Sequence, residues 1–395
     1  MMFFNKIQLC LVIISFGMII TGCKEEKVEP LPNSGSAIPL PVTDLKVANL
    51  HGGAKITYTV PPDPNLLYVE AVWKHKGINR NAKSSYYANT LTLQGFGDTS
   101  ECEVKVYSVS KSEKRSDPLT VTVNPLSAPV QEVYRSLTVK PDFGGINVGF
   151  INDTRGDVVI TVLTQDSTGK LAPADAFYTN LARDSFSVRG FDASPRVFGV
   201  FVKDRWDNLS DTLYSTQTPF FELLLDKSRF REVNPYPGDV NAQIYSGNYP
   251  MRNLWDSKTN TIYVTAQGLG LPQSFTVDLG VTAKLSRMKY FQRMSAAFYF
   301  TSGTPEIFDI YGSNDPAPDG SWDSWTLLQH CVSKKPSGLP LGTVSNDDVA
   351  YAQAGEDFSF PLGAEPYRYL RFKVLKSYGN ATNITFSELT FWGAY

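Results

Sequence analysis

Four short segments of this sequence return, in the same order and at nearly one spacing, further along the chain. Gly52-Gly53-Ala54-Lys55-Ile56-Thr57-Tyr58 comes back as Gly144-Gly145-Ile146-Asn147-Val148-Gly149-Phe150. Tyr86-Tyr87-Ala88-Asn89 comes back as Phe177-Tyr178-Thr179-Asn180, and Gly95-Phe96 as Gly190-Phe191. A stretch from Val109 ending in Arg115-Ser116-Asp117 is matched by one from Val202 ending in Leu209-Ser210-Asp211. A period of roughly 90 residues is too long for a solenoid unit and is the size of a small β-sandwich, which reads as two tandem copies of one domain.

Local patterning agrees. Ala54–Thr59, Val104–Val109, Val158–Leu163 and Val197–Val202 alternate apolar and polar residues, rich in β-branched and aromatic side chains. Turn chemistry lies between them, as in Pro61-Pro62-Asp63-Pro64, Gly95-Phe96-Gly97-Asp98 and Asp153-Thr154-Arg155-Gly156. No stretch of about ten residues or more carries a helical apolar face. A chain of 395 residues with 42% hydrophobic, 13% aromatic and 19% charged residues can bury several cores, and it excludes disorder and coiled coil. Its 37 basic residues against 39 acidic leave no surplus to neutralise phosphates, so no nucleic-acid partner is expected. Three His and four Cys are too few for most zinc sites, catalytic triads and disulfide frameworks.

Residues 40–125 resemble a fibronectin type III domain. Pro41-Val42-Thr43-Asp44-Leu45-Lys46-Val47 matches its opening strand, Trp73 a core aromatic of its third strand, and Pro118-Leu119-Thr120-Val121-Thr122-Val123 its last strand. Residues 126–232 read as a diverged second copy. Trp206, in the loop Asp204-Arg205-Trp206-Asp207-Asn208, is open to either a packing or a binding role.

Residues 1–22 have the layout of a signal peptide: one positive charge in Met1–Lys6, then an apolar run, Ile7–Ile20, too short to span a bilayer comfortably. The run ends in Ile20-Thr21-Gly22-Cys23, which resembles the bacterial lipobox. The resemblance implies cleavage before Cys23 and its acylation, a lipid anchor of two or three chains. Lys24-Glu25-Glu26-Lys27 reads plainly as a solvated charge run, and it also resembles the export signal of Bacteroidetes surface lipoproteins. That second reading implies display on the outer face of the outer membrane. Residues 23–39 would form the lipidated tether, in a Pro/Ser/Gly-rich stretch. Cys102 and Cys331 fall in different domains and are expected to pack as small hydrophobes.

From residue 236 the repeat stops and four of the six Trp gather: Trp255, Trp322, Trp325 and Trp392. The ordered signals are Asn253-Leu254-Trp255-Asp256, Phe275-Thr276-Val277-Asp278-Leu279-Gly280, Phe308-Asp309-Ile310-Tyr311-Gly312-Ser313-Asn314-Asp315, Arg368-Tyr369-Leu370-Arg371-Phe372 and Phe386-Ser387-Glu388-Leu389-Thr390-Phe391-Trp392-Gly393. Together they resemble the discoidin, or coagulation-factor type C, domain, the galactose-binding-like jelly roll also used by family 32 carbohydrate-binding modules. The expected fold is therefore all-β: two tandem fibronectin type III-like sandwiches, then a discoidin-like jelly roll over 236–395.

The resemblance implies a structural Ca²⁺ with Asp256 and Glu388 as ligands, although Ser257 stands where a Gly is usual and Tyr263 where a Trp is usual. Hard oxygen donors suit that ion. It also implies ligand-binding loops at 262–273, 293–303 and 376–382. Sugar recognition needs an aromatic face and groups that bond hydroxyls, which nominates Tyr263, Gln267, Arg293, Phe298, Tyr299, Tyr378 and Asn380. The run Ala296-Ala297-Phe298-Tyr299-Phe300 is aromatic-rich for a loop, and its other reading is a strand with Phe298 and Phe300 inward.

No Gly-x-Ser-x-Gly, His-Glu-x-x-His or P-loop motif is present, and His330 next to Cys331 would point to opposite faces of a strand. No catalysis is expected. The layout resembles surface lipoproteins of SusC/SusD-type glycan-uptake systems, which implies non-catalytic glycan capture by the C-terminal module. A structural or adhesive lipoprotein that binds a protein partner, such as the transporter complex, is the alternative.

Overall fold

The computed structural model describes residues 37–395. The expected signal segment, the expected Cys23 anchor and most of the expected tether lie outside the described residues. Among the described residues no helix is long and apolar enough to cross a membrane.

Seven strands build the first sandwich: β1 (Thr43–Leu50), β2 (Gly53–Thr59), β3 (Leu66–His75), β4 (Ile78–Ser85), β5 (Thr90–Gln94), β6 (Cys102–Ser110) and β7 (Leu119–Val123). One sheet runs β1-β2-β5 and the other β4-β3-β6-β7. Helix α1 (Pro129–Ser136) follows, then β8 (Thr138–Asp142), β9 (Gly145–Ile151), β10 (Val158–Gln165), β11 (Leu171–Thr179), β12 (Arg183–Arg189), β13 (Arg196–Asp204) and β14 (Leu213–Gln217). Their sheets run β8-β9-β12 and β11-β10-β13-β14, the first sandwich repeated strand for strand. Both are fibronectin type III-like. Alternation sends Val69, Ala71, Trp73, Val104 and Val106 into the first core, where Trp73 stacks on Phe96 at 5.8 Å.

The repeated residues have identifiable physical duties. Gly52 and Gly144 turn the chain with φ of +64° and +61°, a region that favours glycine. The next glycines allow backbones to close: a Cβ on Gly53 would lie 2.4 Å from the Leu93 carbonyl oxygen, and one on Gly145 1.8 Å from that of Val188. Ser116 and Ser210 each accept a strand N–H through Oγ, from Ser108 at 3.0 Å and Val202 at 2.8 Å. Each hydroxyl donates in turn to the following Asp carbonyl. The structure thus aligns Val202 with Ser108, not with Val109. The Tyr86-Tyr87 and Phe177-Tyr178 segments do not superpose: Phe177 and Tyr178 lie within β11, whereas Tyr86 and Tyr87 lie beyond the end of β4. Because a backbone carbonyl cannot yield as a flexible side chain can, Gly145→Ala is expected to cost about 3 kcal/mol in denaturant unfolding. An unchanged midpoint would contradict the close β9–β12 approach.

The third sandwich contains β15 (Leu223–Leu224), β16 (Arg231–Glu232), β17 (Tyr263–Val264), β18 (Gln273–Phe291), β19 (Pro305–Ser313), β20 (Thr326–Val332), helix α2 (Asn346–Ala354), β21 (Glu356–Ser359), β22 (Tyr367–Ser377), β23 (Thr385–Phe386) and β24 (Glu388–Ala394). The 19-residue β18 belongs to two sheets. Its first part pairs with β16 and β22, its second with β21 and β24. The corner is Asp278-Leu279-Gly280, where Gly280 has φ +67° and its N–H donates to Asp278 Oδ1 at 2.7 Å. Sequence alone reads that motif as a strand end; the strand instead turns there and crosses from one layer to the other. Phe275, Phe308, Phe372, Phe386 and Phe391 fill the space between the layers, with Phe275 stacked on Phe372 at 4.8 Å.

On β22, Leu370 and Phe372 face that core. Arg371 points the other way and is still only 1% exposed, because the 315–325 loop covers it. Its guanidinium lies 4.2 Å from the Trp322 ring, donates to the Gly320 carbonyl at 2.9 Å and pairs with Asp239 at 2.8 Å. Trp322 and Trp325 are accordingly packing residues. Cys102 and Cys331 are both buried free thiols.

Candidate functional site

The two-stranded β17–β23 pair sits at one end of the third sandwich and floors an open cleft of about 470 Å³. Ile262, Val264 and Thr385 form the floor. Its walls come from three loops and from Tyr245 and Tyr249. The 293–303 segment contributes Arg293 and Phe298, with the guanidinium 3.5 Å from the ring centroid. Gln267 and Asn383 place amides at the rim. Tyr245 is 55% exposed, and its ring centre lies 6.1 Å from that of Tyr249. The cleft offers ring faces, a cation held over one of them, and amide donors and acceptors around an apolar floor.

The loop that carries Arg293 is fixed by a buried amide. Gln292 Oε1 accepts the Phe300 N–H at 2.8 Å, and Phe300 takes φ +51°. Residues 296–300 are turns, so the strand reading of this run does not hold. Opposite, Gln273 bonds Thr265 Oγ1 and the carbonyls of Gly270 and Thr382, which holds the 262–273 loop to the 376–382 loop.

Of the seven nominated residues, Gln267, Arg293 and Phe298 meet in this cleft. The other four lie outside its lining. Tyr263 is 0% exposed and faces the core; strand alternation turns it inward and its neighbours Ile262 and Val264 outward. Its hydroxyl donates to the Val240 carbonyl, and burial pushes its pKa up. Tyr299 is packed with Phe300, Ala352 and Tyr378 in a satellite cluster. Tyr378 donates to the Ser333 carbonyl at 2.9 Å, and burial raises its pKa. Asn380 lines a different groove, with Lys335, Leu339 and Lys376. Tyr245 and Tyr249 are the residues sequence reading missed. Their signal is a Ser-Gly-Asn turn flanked by two tyrosines just upstream of the expected loops.

Elsewhere in this sandwich, Glu388 is buried and its Oε1 bonds Lys227 Nζ, which also donates to Thr390 Oγ1 at 2.8 Å. Burial holds the Glu388 carboxyl up at about 7, with Lys227 opposing. Asp256 accepts the Thr261 hydroxyl and the Lys258 N–H. Among the described residues no group of three or more His, Cys, Asp and Glu could hold a metal. His330 bonds Asp309 at 2.6 Å on the surface, while Cys331 faces the core and its pKa is pushed up by burial.

Three family profiles match the chain, each described as a domain of unknown function: DUF4959 over residues 39–125, DUF5126 over 126–228 and DUF5000 over 253–393. No curated protein matches significantly. Among solved structures, the SusE-like protein BT2857 is 32% identical, over 67% of this chain and 99% of the other, with a TM-score of 0.44. The chain belongs to the SusE-like family. Other solved structures similar to parts of this SusE-like chain are a two-domain fibronectin type III segment of chicken tenascin and a CBM32 module bound to GalNAc. The tenascin segment is 12% identical, over 45% of this chain and 99% of that one, with a TM-score of 0.23. The CBM32 module is 13% identical, over 41% and 95%, with a TM-score of 0.28.

Proposed function

We propose that this SusE-like protein is a non-catalytic, cell-surface glycan-binding lipoprotein of a Bacteroidetes Sus-type system. In this reading it captures polysaccharide or oligosaccharide for an outer-membrane uptake system through the C-terminal cleft. The observation that carries the proposal is the cleft itself: Arg293, held 3.5 Å over Phe298, lines it together with Tyr245, Tyr249, Gln267 and Asn383. Ring faces suit the C–H face of a pyranose, and the cation and amides suit its hydroxyls. Membership of the SusE-like family supports the reading, and the lipobox and charged motif after Cys23 support an anchored, outward-facing protein. Affinity electrophoresis of the chain through gels holding starch, xylan, mannan or galactan tests it. Retardation on at least one is expected, and free migration on all would refute glycan capture by these polysaccharides.

A protein partner such as a SusC/SusD-type transporter complex is the second reading. It is favoured by a separate groove of about 570 Å³ lined by Phe143, Phe220, Phe221 and Leu362 and edged by Lys140 and Lys284. Pull-down of an outer-membrane protein without polysaccharide retardation would select it.

For the metal expected at Asp256 and Glu388, we propose that the Lys227 ammonium is the resident cation. It already bonds the buried carboxylate, and calcium calls for six to eight oxygen donors. Glu388 Oε2 is buried without a hydrogen-bond partner. Chelation with EDTA is therefore expected to leave the unfolding temperature unchanged. A fall on chelation, reversed by added Ca²⁺, would overturn this assignment.

A further inference from the structure

The two tandem sandwiches share a strand order but not an outer face. In the first, Tyr68 and Glu70 on β3 lie beside Ser85 and Lys83 on β4 and Val109 and Tyr107 on β6. These side chains knit the surface shut. Lys83 Nζ donates to Tyr68 Oη at 3.1 Å, Tyr68 Oη donates to Glu113 at 2.6 Å, and Glu70 takes Arg115 at 2.5 Å and Asn81 at 3.1 Å.

In the second sandwich the Ser116–Ser108 and Ser210–Val202 bonds fix the alignment, and with it Val159 stands for Tyr68 and Thr161 for Glu70. Ala176 stands for Lys83, and Tyr178 for Ser85. Large, mutually bonded side chains have become small ones, and a small one has become a tyrosine. The result is a surface depression of about 670 Å³ floored by Val159, Thr161 and Ala176. Tyr178, 77% exposed, stands at its edge, opposite Val159 in the sheet, and Lys203 lies on the far side of Val159. Asn180 donates to Asp157 at 3.3 Å along one rim.

We propose that this face of the second sandwich is an additional carbohydrate-binding site, in which a pyranose ring packs on Tyr178. The floor is two aliphatic side chains and a threonine, and the rim carries a carboxylate, an amide and an ammonium, donors and acceptors together. That mixture matches the hydroxyls around a sugar's apolar face. The proposal rests on the glycan-binding reading of the C-terminal cleft and adds a second point of attachment, which raises avidity on a repeating polymer.

Affinity electrophoresis on the same starch, xylan, mannan and galactan gels tests it with the full chain carrying Tyr178→Ala, Tyr178→Phe, Arg293→Ala, or Tyr178→Ala with Arg293→Ala. Tyr178→Ala is expected to weaken retention about five- to tenfold, the worth of one aromatic contact, and Tyr178→Phe to preserve it. The double variant is expected to lose the residual retention left by Arg293→Ala. Wild-type retention that Arg293→Ala abolishes and Tyr178→Ala leaves intact would overturn the second site alone. A wild type that no polysaccharide retards would overturn the glycan reading and this site with it. Since Tyr178 is exposed, its variants should keep the wild-type melting temperature, which separates loss of binding from loss of fold.

Discussion

Replacing Arg293 with alanine is expected to weaken polysaccharide retention about tenfold to a hundredfold while leaving the unfolding temperature where it was. A hydrogen bond from a charged donor is worth about 1.5–3 kcal/mol, and about 1.4 kcal/mol is a factor of ten in affinity. Arg293 is half-buried and its described contact is with the Phe298 ring, also at the cleft, so truncation removes a binding group and opens no core cavity. The main β-sheets of the sandwich do not depend on it. Affinity electrophoresis alongside thermal unfolding reads both quantities. Full retention would place the ligand away from this cleft. Lost retention with a lowered melting temperature would make Arg293 a residue that holds the 293–303 loop.

The largest effect on stability is expected from Asp239→Ala. Asp239 and Arg371 form an ion pair with side-chain exposures of 0% and 1%. Thr276 Oγ1 also donates to Asp239 at 2.6 Å, so the substitution orphans a hydroxyl as well as a guanidinium. Removing one partner of a buried pair leaves the other charge out of water and uncompensated, at a cost of about 3–5 kcal/mol. The Gly320 carbonyl and the face of Trp322 would keep Arg371 partly satisfied, which argues for the lower half of that range. Urea unfolding measures it. A loss below about 1 kcal/mol would mean that the guanidinium escapes to solvent by displacing the 315–325 loop, and Trp322 fluorescence would report that movement.

Both predictions turn on what a linear pattern can express. The repeat of Gly52-Gly53 at Gly144-Gly145 announced two copies of one domain, because each pair does the same work: a left-handed turn followed by a backbone approach too close for a Cβ. Asp278-Leu279-Gly280 was legible as a turn, since acceptance of the Gly280 N–H and a positive φ are local properties. That β18 continues through this turn into a second sheet was not legible, because it depends on β22 and β24 finding its two halves.

Site residues divided in the same way. Three loops that build the cleft were implied by the resemblance to discoidin-like modules. Which side chain on each loop reaches it could not. Tyr263 and its neighbours Ile262 and Val264 differ only in parity at and just before a two-residue strand, and that parity was set by pairing of Tyr263 and Val264 with Phe386 and Thr385. Phe298 was separated from Tyr299 and Phe300 by a turn whose geometry rests on Gln292.

Sequence by itself determined the all-β class and the tandem repeat, because alternation, turn residues and repeats are short-range signals, and the resemblance to discoidin-like modules implied three of the segments that meet at the cleft. Tertiary structure alone decided that Tyr245 and Tyr249 join the cleft, that Lys227 bonds the buried Glu388, and that the second sandwich has an open face where the first is sealed. Each of these depends on groups brought together from distant parts of the chain. Burial, charge pairing and exposure are properties of such neighbourhoods, and they come into being only when the strands pair.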